Sequence, residues 1–214
     1  VVIELAFRYP HRVRAGVLIC GSGGRLLDTF KGSDVGTRML PYIRDFTERF
    51  GHSMGPALRL ILPSELSCMV ATFTEPNMDL TCREDMRPYM EHMATMQPDL
   101  FGRMMWDAAN RSSRHFLRRI TQPMLVVAGE RDGFTPAWVS EVMATHLGNA
   151  TCEVLSRGTH TAPLELPDQL SSLISDFLDT RALKTSTEVT RKKRKQVPTL
   201  ARAFRRAARI RKAR

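Results

Sequence analysis

The chain has no Cys-x-x-Cys pair; its four cysteines, Cys20, Cys68, Cys82 and Cys152, stand far apart. That spacing excludes a disulfide framework or a zinc site read from sequence and points to a reducing compartment. Cys20 and Cys152 fall in strand-like runs and read as small core hydrophobes. No apolar run reaches the ~18 residues that a membrane-spanning helix needs. No charged-then-apolar leader opens the chain. A cytoplasmic protein is expected, one that can also sit peripherally at a membrane. Phosphate-binding signatures are missing too. Gly21-Ser22-Gly23-Gly24 lacks the Lys-Ser/Thr of a P-loop and the glycine spacing of a dinucleotide fingerprint, so it reads as a tight loop after a strand. His92 and His115 have no ligand partners at metal spacing and read as surface or capping residues. No cofactor and no metal are expected. No internal repeat is visible.

Acidic residues are scarce in one place. Residues 181–214 carry 14 of the 32 Lys/Arg and a single acid, Glu188, for a net +13. The first 180 residues hold 18 basic and 21 acidic side chains, a net −3. The formal +10 of the whole chain therefore belongs to a tail. The body is a mildly acidic segment whose size suits one domain with an inserted subdomain. Within the tail, Arg191-Lys-Lys-Arg-Lys195 is a charge run, and Leu200–Arg214 can form a helix. Leu200, Phe204, Ala207, Ala208 and Ile210 share one side of it, and Arg202, Arg205, Arg206 and Arg209 the other. An anionic membrane surface or a nucleic acid is the partner such a segment fits, and a solvated extension is the plain alternative. No protein partner is implied.

What is there reads as strands alternating with helices. Val1–Tyr9 is predicted as the end of an amphipathic helix, broken at Pro10, and Ala15–Cys20 as a buried strand. From Leu26 to Phe116 helical stretches dominate, with breaks expected at Pro41, Pro56, Pro63, Pro76, Pro88 and Pro98. Ten of the twelve methionines lie between Met39 and Met105; Met86, Met90 and Met93 share a helical face. That face reads as core of the helical segment or as the wall of an adaptable apolar pocket. Met124–Ala128 is a strand, and Pro136–Leu147 a helix with Trp138, Val142 and Met143 on one side. Thr151–Leu155 is the last strand, and Pro167–Leu178 the closing helix, with Leu170, Leu173, Ile174, Phe177 and Leu178 in a stripe. Alternation of this kind predicts an α/β fold, a parallel sheet covered by helices.

Two segments carry the candidate chemistry. One is Pro123-Met-Leu-Val-Val-Ala-Gly129-Glu-Arg-Asp132, and the other is Leu155-Ser-Arg-Gly-Thr-His160. Asp132 follows a buried strand, and His160 follows the next one, so both fall at the carboxyl edge where open α/β sheets bind ligands. A carboxylate that orients an imidazole is half of a nucleophilic hydrolase site. The plain alternative has Asp132 capping the Pro136 helix and His160 as a loop histidine. Glu165 reads as an acid at the start of the last helix.

These segments resemble the acid and base segments of the α/β-hydrolase family, whose order along the chain is Ser, Asp, His. The stretch from Arg8 to Gly24 is similar to the helix and strand that follow the nucleophile in that family. The resemblance implies the C-terminal part of such a fold: core at 1–25, a helical cap at 26–116, core with the acid and base loops at 117–180, and the basic tail at 181–214. It implies Asp132 and His160 as catalytic residues acting on an ester or related bond of a small lipophilic substrate. No nucleophile strand precedes them, and the chain opens on Val1, so an N-terminally incomplete and inactive piece is expected. A non-catalytic binding or scaffold protein working through the tail is the second reading. Gly51-His-Ser53-Met-Gly55 matches Gly-x-Ser-x-Gly in letters. Its neighbours carry charges at helical spacing and Pro56 follows at once, so Ser53 is expected in a turn of the cap rather than on a strand-to-helix elbow.

Overall fold

Three short apolar runs form the sheet. β1 (Gly16–Ile19), β2 (Met124–Gly129) and β3 (Ala150–Leu155) are parallel and pair in the order β1-β2-β3. The register sets Gly16 beside Met124 and Met124 beside Ala150. This computed structural model describes residues 1–24, 35–74, 77, 79–81 and 83–182. β2 is central and buried along its whole length. A strand covered on both faces has no polar side to show, which is why its sequence does not alternate. Met124 and Val126 enter one core with Ile3, Ala6, Leu117 and Met143. Leu125 and Val127 enter the other with Cys20, Leu155, Leu170 and Phe177. Each of these aliphatic side chains gains about 1.5–3 kcal/mol from burial.

α1 (Val2–Arg8) covers the first face and gives way to a 3-10 turn at Pro10–Arg12. Its Phe7 stacks on Phe116 at 4.3 Å between ring centroids, with the Arg119 guanidinium 4.6 Å from the Phe7 ring. Gln122, just before β2, donates to the carbonyls of Ala6 and Pro10 and ties this helix to the sheet.

Between β1 and β2 run α2 (Val35–Ile61), α3 (Glu65–Thr74), α4 (Arg83–Thr95) and α5 (Pro98–Asn110), then a 3-10 turn at Arg114–Arg119. Three of the expected proline breaks do not occur. α2 runs through Pro41 and Pro56, and α4 through Pro88. Each proline forfeits a backbone hydrogen bond, a local cost that packing overrides here. α2 lies along α5, with Leu40, Thr47 and Gly51 buried. Small residues let the two backbones approach: a Cβ on Gly51 would stand 2.9 Å from the Asp99 nitrogen, and one on Gly102 would strike the Thr47 side chain. Pro63 does lie in a turn, and Pro98 opens α5. Met86 and Met90 are buried, in keeping with the core reading of that face. A second stripe of α2, with Val35, Met39, Tyr42, Phe46 and Phe50, is exposed.

α6 (Ala137–His146) joins β2 to β3. It turns Val139, Ser140 and Met143 inward, while Trp138 and Val142 are exposed, which corrects the expected face. Ser140 donates to the Gly21 carbonyl, so a buried polar contact replaces one apolar position. Trp138 and Val142 instead line a cavity of about 250 Å3 with Gly23, Leu117 and Met143. After β3 come the one-turn α7 (Ala162–Glu165) and the closing α8 (Pro167–Phe177), which buries Leu170 and Phe177. A π-helical turn at Leu178–Ala182 extends α8, and Arg181 bonds Asn149, so the body reaches into the range expected as tail. The charge run at 191–195 and the expected helix at 200–214 lie outside the described residues, as does Cys82. Among the described residues no helix is long and apolar enough to cross a membrane.

Candidate active site

All three strands are parallel, so the loops after them emerge at one edge: Cys20 after β1, Asp132 after β2 and His160 after β3. His160 Nδ1 lies 3.0 Å from Asp132 Oδ2. The Asp132 side chain is 0% exposed and that of His160 36%. The partners of Asp132 divide between its two oxygens. Oδ1 accepts the backbone N–H groups of Phe134 and Thr135, both at 2.8 Å. Oδ2 faces His160 and the Thr135 hydroxyl, the latter at 2.8 Å. That hydroxyl also stands 2.9 Å from the Cys20 carbonyl. It has one proton for two acceptors, which leaves the imidazole as the dedicated donor to Oδ2. The network therefore assigns the proton to Nδ1 and the lone pair to Nε2, the tautomer a general base needs. The Phe134 ring lies 4.9 Å from the imidazole, centroid to centroid.

Burial acts to raise the Asp132 pKa. The bond from His160, the Thr135 N–H, the imidazole charge and the Thr135 hydroxyl outweigh it and hold the carboxyl below its usual range. Asp132 does not cap α6, whose N-cap is Pro136 with no side-chain bond; it orders the loop before that helix through Phe134 and Thr135 while it holds the histidine.

The acid and base loops are stitched together by backbone. Arg131 N–H donates to the Gly158 carbonyl at 2.8 Å, and Glu130 N–H to the Leu155 carbonyl at 3.0 Å. In return Glu130 Oε2 accepts the Arg157 N–H at 2.7 Å and the Ser156 hydroxyl at 3.1 Å. Arg157 has φ 64, a left-handed conformation held by this exchange. Gly129 sits where the two loops cross. A Cβ there would lie 2.5 Å from the Thr159 carbonyl oxygen and 2.7 Å from that of Gly158.

Three further participants were read otherwise, or not at all, from the sequence. Thr135 is fully buried against Asp132 and Cys20. Glu165 does not open the closing helix, which starts at Pro167; it ends α7 and is buried beneath the histidine loop. Cys20 has φ 47, which sets its carbonyl toward Thr135, and its thiol lies 3.6 Å from the Thr159 carbonyl. A strained residue at a strand end beside an acid and a histidine has the look of a nucleophile. Its chemistry is opposed to that: burial first, then the Asp132 charge, pushes the thiol up from 9.0 to about 12. A thiol this far from ionisation is inert. Iodoacetamide at pH 8 is expected to alkylate Cys20 far more slowly in the folded chain than in denaturant, because burial both shields the thiol and opposes its ionisation. Peptide mapping reads this directly, and equal rates would show that the thiol is not protected as its burial requires. Between pH 9 and 12 the folded chain keeps a proton that the unfolded chain releases, so this group withdraws stability as pH rises through that window.

Ser53 lies in the interior of α2, exposed, and not in the expected turn. The first glycine of its motif, Gly51, serves the α2–α5 contact, and the second, Gly55, faces open space. His92 and His115 are exposed. Among the described residues no cluster of three or more His, Cys, Asp or Glu is placed to hold a metal ion.

A parallel sheet with an acid–histidine pair at its carboxyl edge is the frame of an α/β hydrolase, and comparison with known proteins agrees. Residues 102–190 match the α/β-hydrolase family described as TAP-like protein. The human serine hydrolase BPHL is 31% identical over 65 residues, 30% of this chain and 22% of that protein. A pimeloyl-[acyl-carrier protein] methyl ester esterase of Neisseria meningitidis is 32% identical over 74 residues, 34% of this chain and 29% of that one. Among solved structures, a thermophilic esterase from Thermogutta terrifontis superposes with a TM-score of 0.61 at 17% identity, over 83% of this chain and 60% of that one. Residues 102–190 thus carry an α/β-hydrolase segment, and the chain has the α/β-hydrolase fold. The matches span 22% and 29% of the two curated relatives and 60% of that esterase.

Proposed function

We propose that this chain carries the acid and base of a Ser-His-Asp ester hydrolase acting on a small lipophilic substrate. The observation behind the reading is the His160–Asp132 contact of 3.0 Å at the carboxyl edge of the sheet, made to a fully buried carboxylate. In this mechanism His160 Nε2 takes the proton of a serine as that serine attacks the ester carbon. Asp132 steadies the imidazolium that forms, and Nε2 then returns the proton to the leaving alcohol. The serine is contributed by a segment outside residues 1–214. Support comes from the helical, exposed setting of Ser53, which offers none of the strained strand-to-helix turn that pushes a nucleophile forward.

The substrate class rests on chemistry at two levels. Relatives are named as a serine hydrolase and as a methyl ester esterase. The segment between β1 and β2 is rich in methionine, and α2 leaves an apolar stripe uncovered, from Val35 to Phe50. Such surfaces suit an acyl or alkyl chain. On this reading residues 26–116 act as a cap over core elements at 1–25 and 117–180.

A fluorophosphonate probe tests the assignment. A longer protein containing residues 1–214 is expected to be labelled on a serine outside them, and His160→Ala to abolish that labelling. Residues 1–214 alone are expected to stay unlabelled. Stoichiometric labelling of residues 1–214 that disappears in Ser53→Ala would overturn the proposal.

A further inference from the structure

Glu165 is a carboxylate buried to 6% exposure, and the four donors it accepts from are all neutral. Thr159 gives it two, the backbone N–H at 2.7 Å and the hydroxyl at 2.6 Å. The Thr161 hydroxyl gives a third at 3.0 Å. The fourth is the backbone N–H of Asn77 at 2.6 Å, from a residue 88 positions away between α3 and α4. A buried carboxyl group satisfied by hydrogen bonds of this kind makes every lost donor costly. The contacts bracket one residue. Thr159 and Thr161 flank His160 on either side.

The Asn77 end of the contact is itself anchored. Its amide donates to the Arg157 carbonyl at 2.9 Å, and its Oδ1 accepts the Asp79 N–H at 3.1 Å. The Arg157 guanidinium closes the circuit on Asp79 at 2.9 Å. Asn77 and Asp79 therefore meet the histidine loop through a polar junction centred on a buried carboxylate.

We propose that Glu165 is a positioning residue: it fixes the backbone on both sides of His160 and makes the placement of the imidazole depend on Asn77 being seated against the loop. Through it, the helical segment between β1 and β2 sets the geometry of the Asp132–His160 pair. The role in turnover rests on His160 being the base, but the placement of the ring does not.

The experiment reads the ring without turnover. In chain 1–214 with isotope-labelled histidine, the Nδ1–H proton shared with Asp132 and the titration midpoint of the His160 ring are followed by NMR. Glu165→Ala is expected to erase the bonded ring proton and move the midpoint down, because the imidazolium loses its carboxylate partner. Glu165→Gln keeps acceptor capacity on one oxygen and is expected to retain the proton, broadened by exchange. Asn77→Ala keeps the backbone N–H that Glu165 accepts but removes the side-chain bonds to Arg157 and Asp79 that seat it, and is expected to shift the midpoint in the same direction by less. Should Glu165→Ala fail to fold, Thr159→Val removes one hydroxyl donor at nearly constant shape and is expected to weaken the same proton signal. A folded Glu165→Ala or Thr159→Val chain with the ring proton and midpoint of the parent overturns the proposal. So does an Asn77→Ala chain indistinguishable from the parent, since seating by the Asn77 side chain then plays no part in placing the ring. Loss or lack of ester turnover in any of these chains bears on the proposed hydrolase and leaves the NMR outcome standing.

Discussion

Asp132→Asn, placed in a longer protein containing residues 1–214, is expected to lower kcat on a small aryl ester by about 10⁴-fold, the scale of losing the oriented imidazole in a catalytic triad. Asparagine is nearly isosteric and can still accept the Phe134 and Thr135 N–H groups through one oxygen, so the turn into α6 should survive. Its amide nitrogen then faces His160 Nδ1, where Oδ2 now stands. Two donors cannot share that contact, so the ring flips its proton to Nε2 and loses its basic lone pair there. A variant within tenfold of the parent would sink the assignment of Asp132. The wild-type carboxylate also predicts a pH trend. Its pKa is held below the usual 3.8, so the stability it contributes is present above that pH and is lost as pH falls through the folded value. Acid unfolding of Asp132→Asn should therefore show a shallower dependence on pH than that of the parent.

Gly129→Ala is expected to destabilise the chain by about 1–3 kcal/mol, the usual cost of forcing one carbon into a filled site. Most small-to-large changes are absorbed by side chains. Here the atoms in the way are backbone: the Thr159 and Gly158 carbonyl oxygens at 2.5 and 2.7 Å from the added carbon. Relief requires the acid and base loops to part, which stretches the Asp132–His160 contact and the Arg131–Gly158 bond that runs beside it. The urea midpoint should fall, and the shared ring proton of His160 should weaken with it. Unchanged stability would mean that the loops do not cross as closely as described. Unchanged ring geometry with lost stability would separate the fold from the site at this position.

Much of the frame was legible in the sequence because it depends on neighbours along the chain. Met124–Gly129 reads as a buried strand from its unbroken apolar run, and α8 reads from Leu170, Leu173, Ile174 and Phe177 at helical spacing. The order of strands and helices forces a parallel sheet, and a parallel sheet brings the ends of β2 and β3 to one edge. That edge, together with the resemblance of both segments to the acid and base segments of α/β hydrolases, marked Asp132 and His160 as a candidate pair. Ser53 was legible in part: its charged helical surroundings argued against an elbow, but not for a helix that continues through Pro56.

What tertiary structure alone decided are contacts between residues far apart. Proline counts as a breaker in any local reading, yet α2 and α4 run through Pro41, Pro56 and Pro88. Of the side expected for α6, Met143 is inward while Trp138 and Val142 are exposed, and Val139 and Ser140 turn inward instead, Ser140 bonding the Gly21 carbonyl 119 positions away. Thr135 meets Cys20 across 115 positions, and Asn77 meets Glu165 across 88. Hydrogen bonds over such spans leave no period in the sequence, since each polar residue is chosen by the one group it satisfies. Apolar burial repeats along an element and is therefore readable from it. The buried polar contacts around His160 are single events, and only the folded chain brings their partners together.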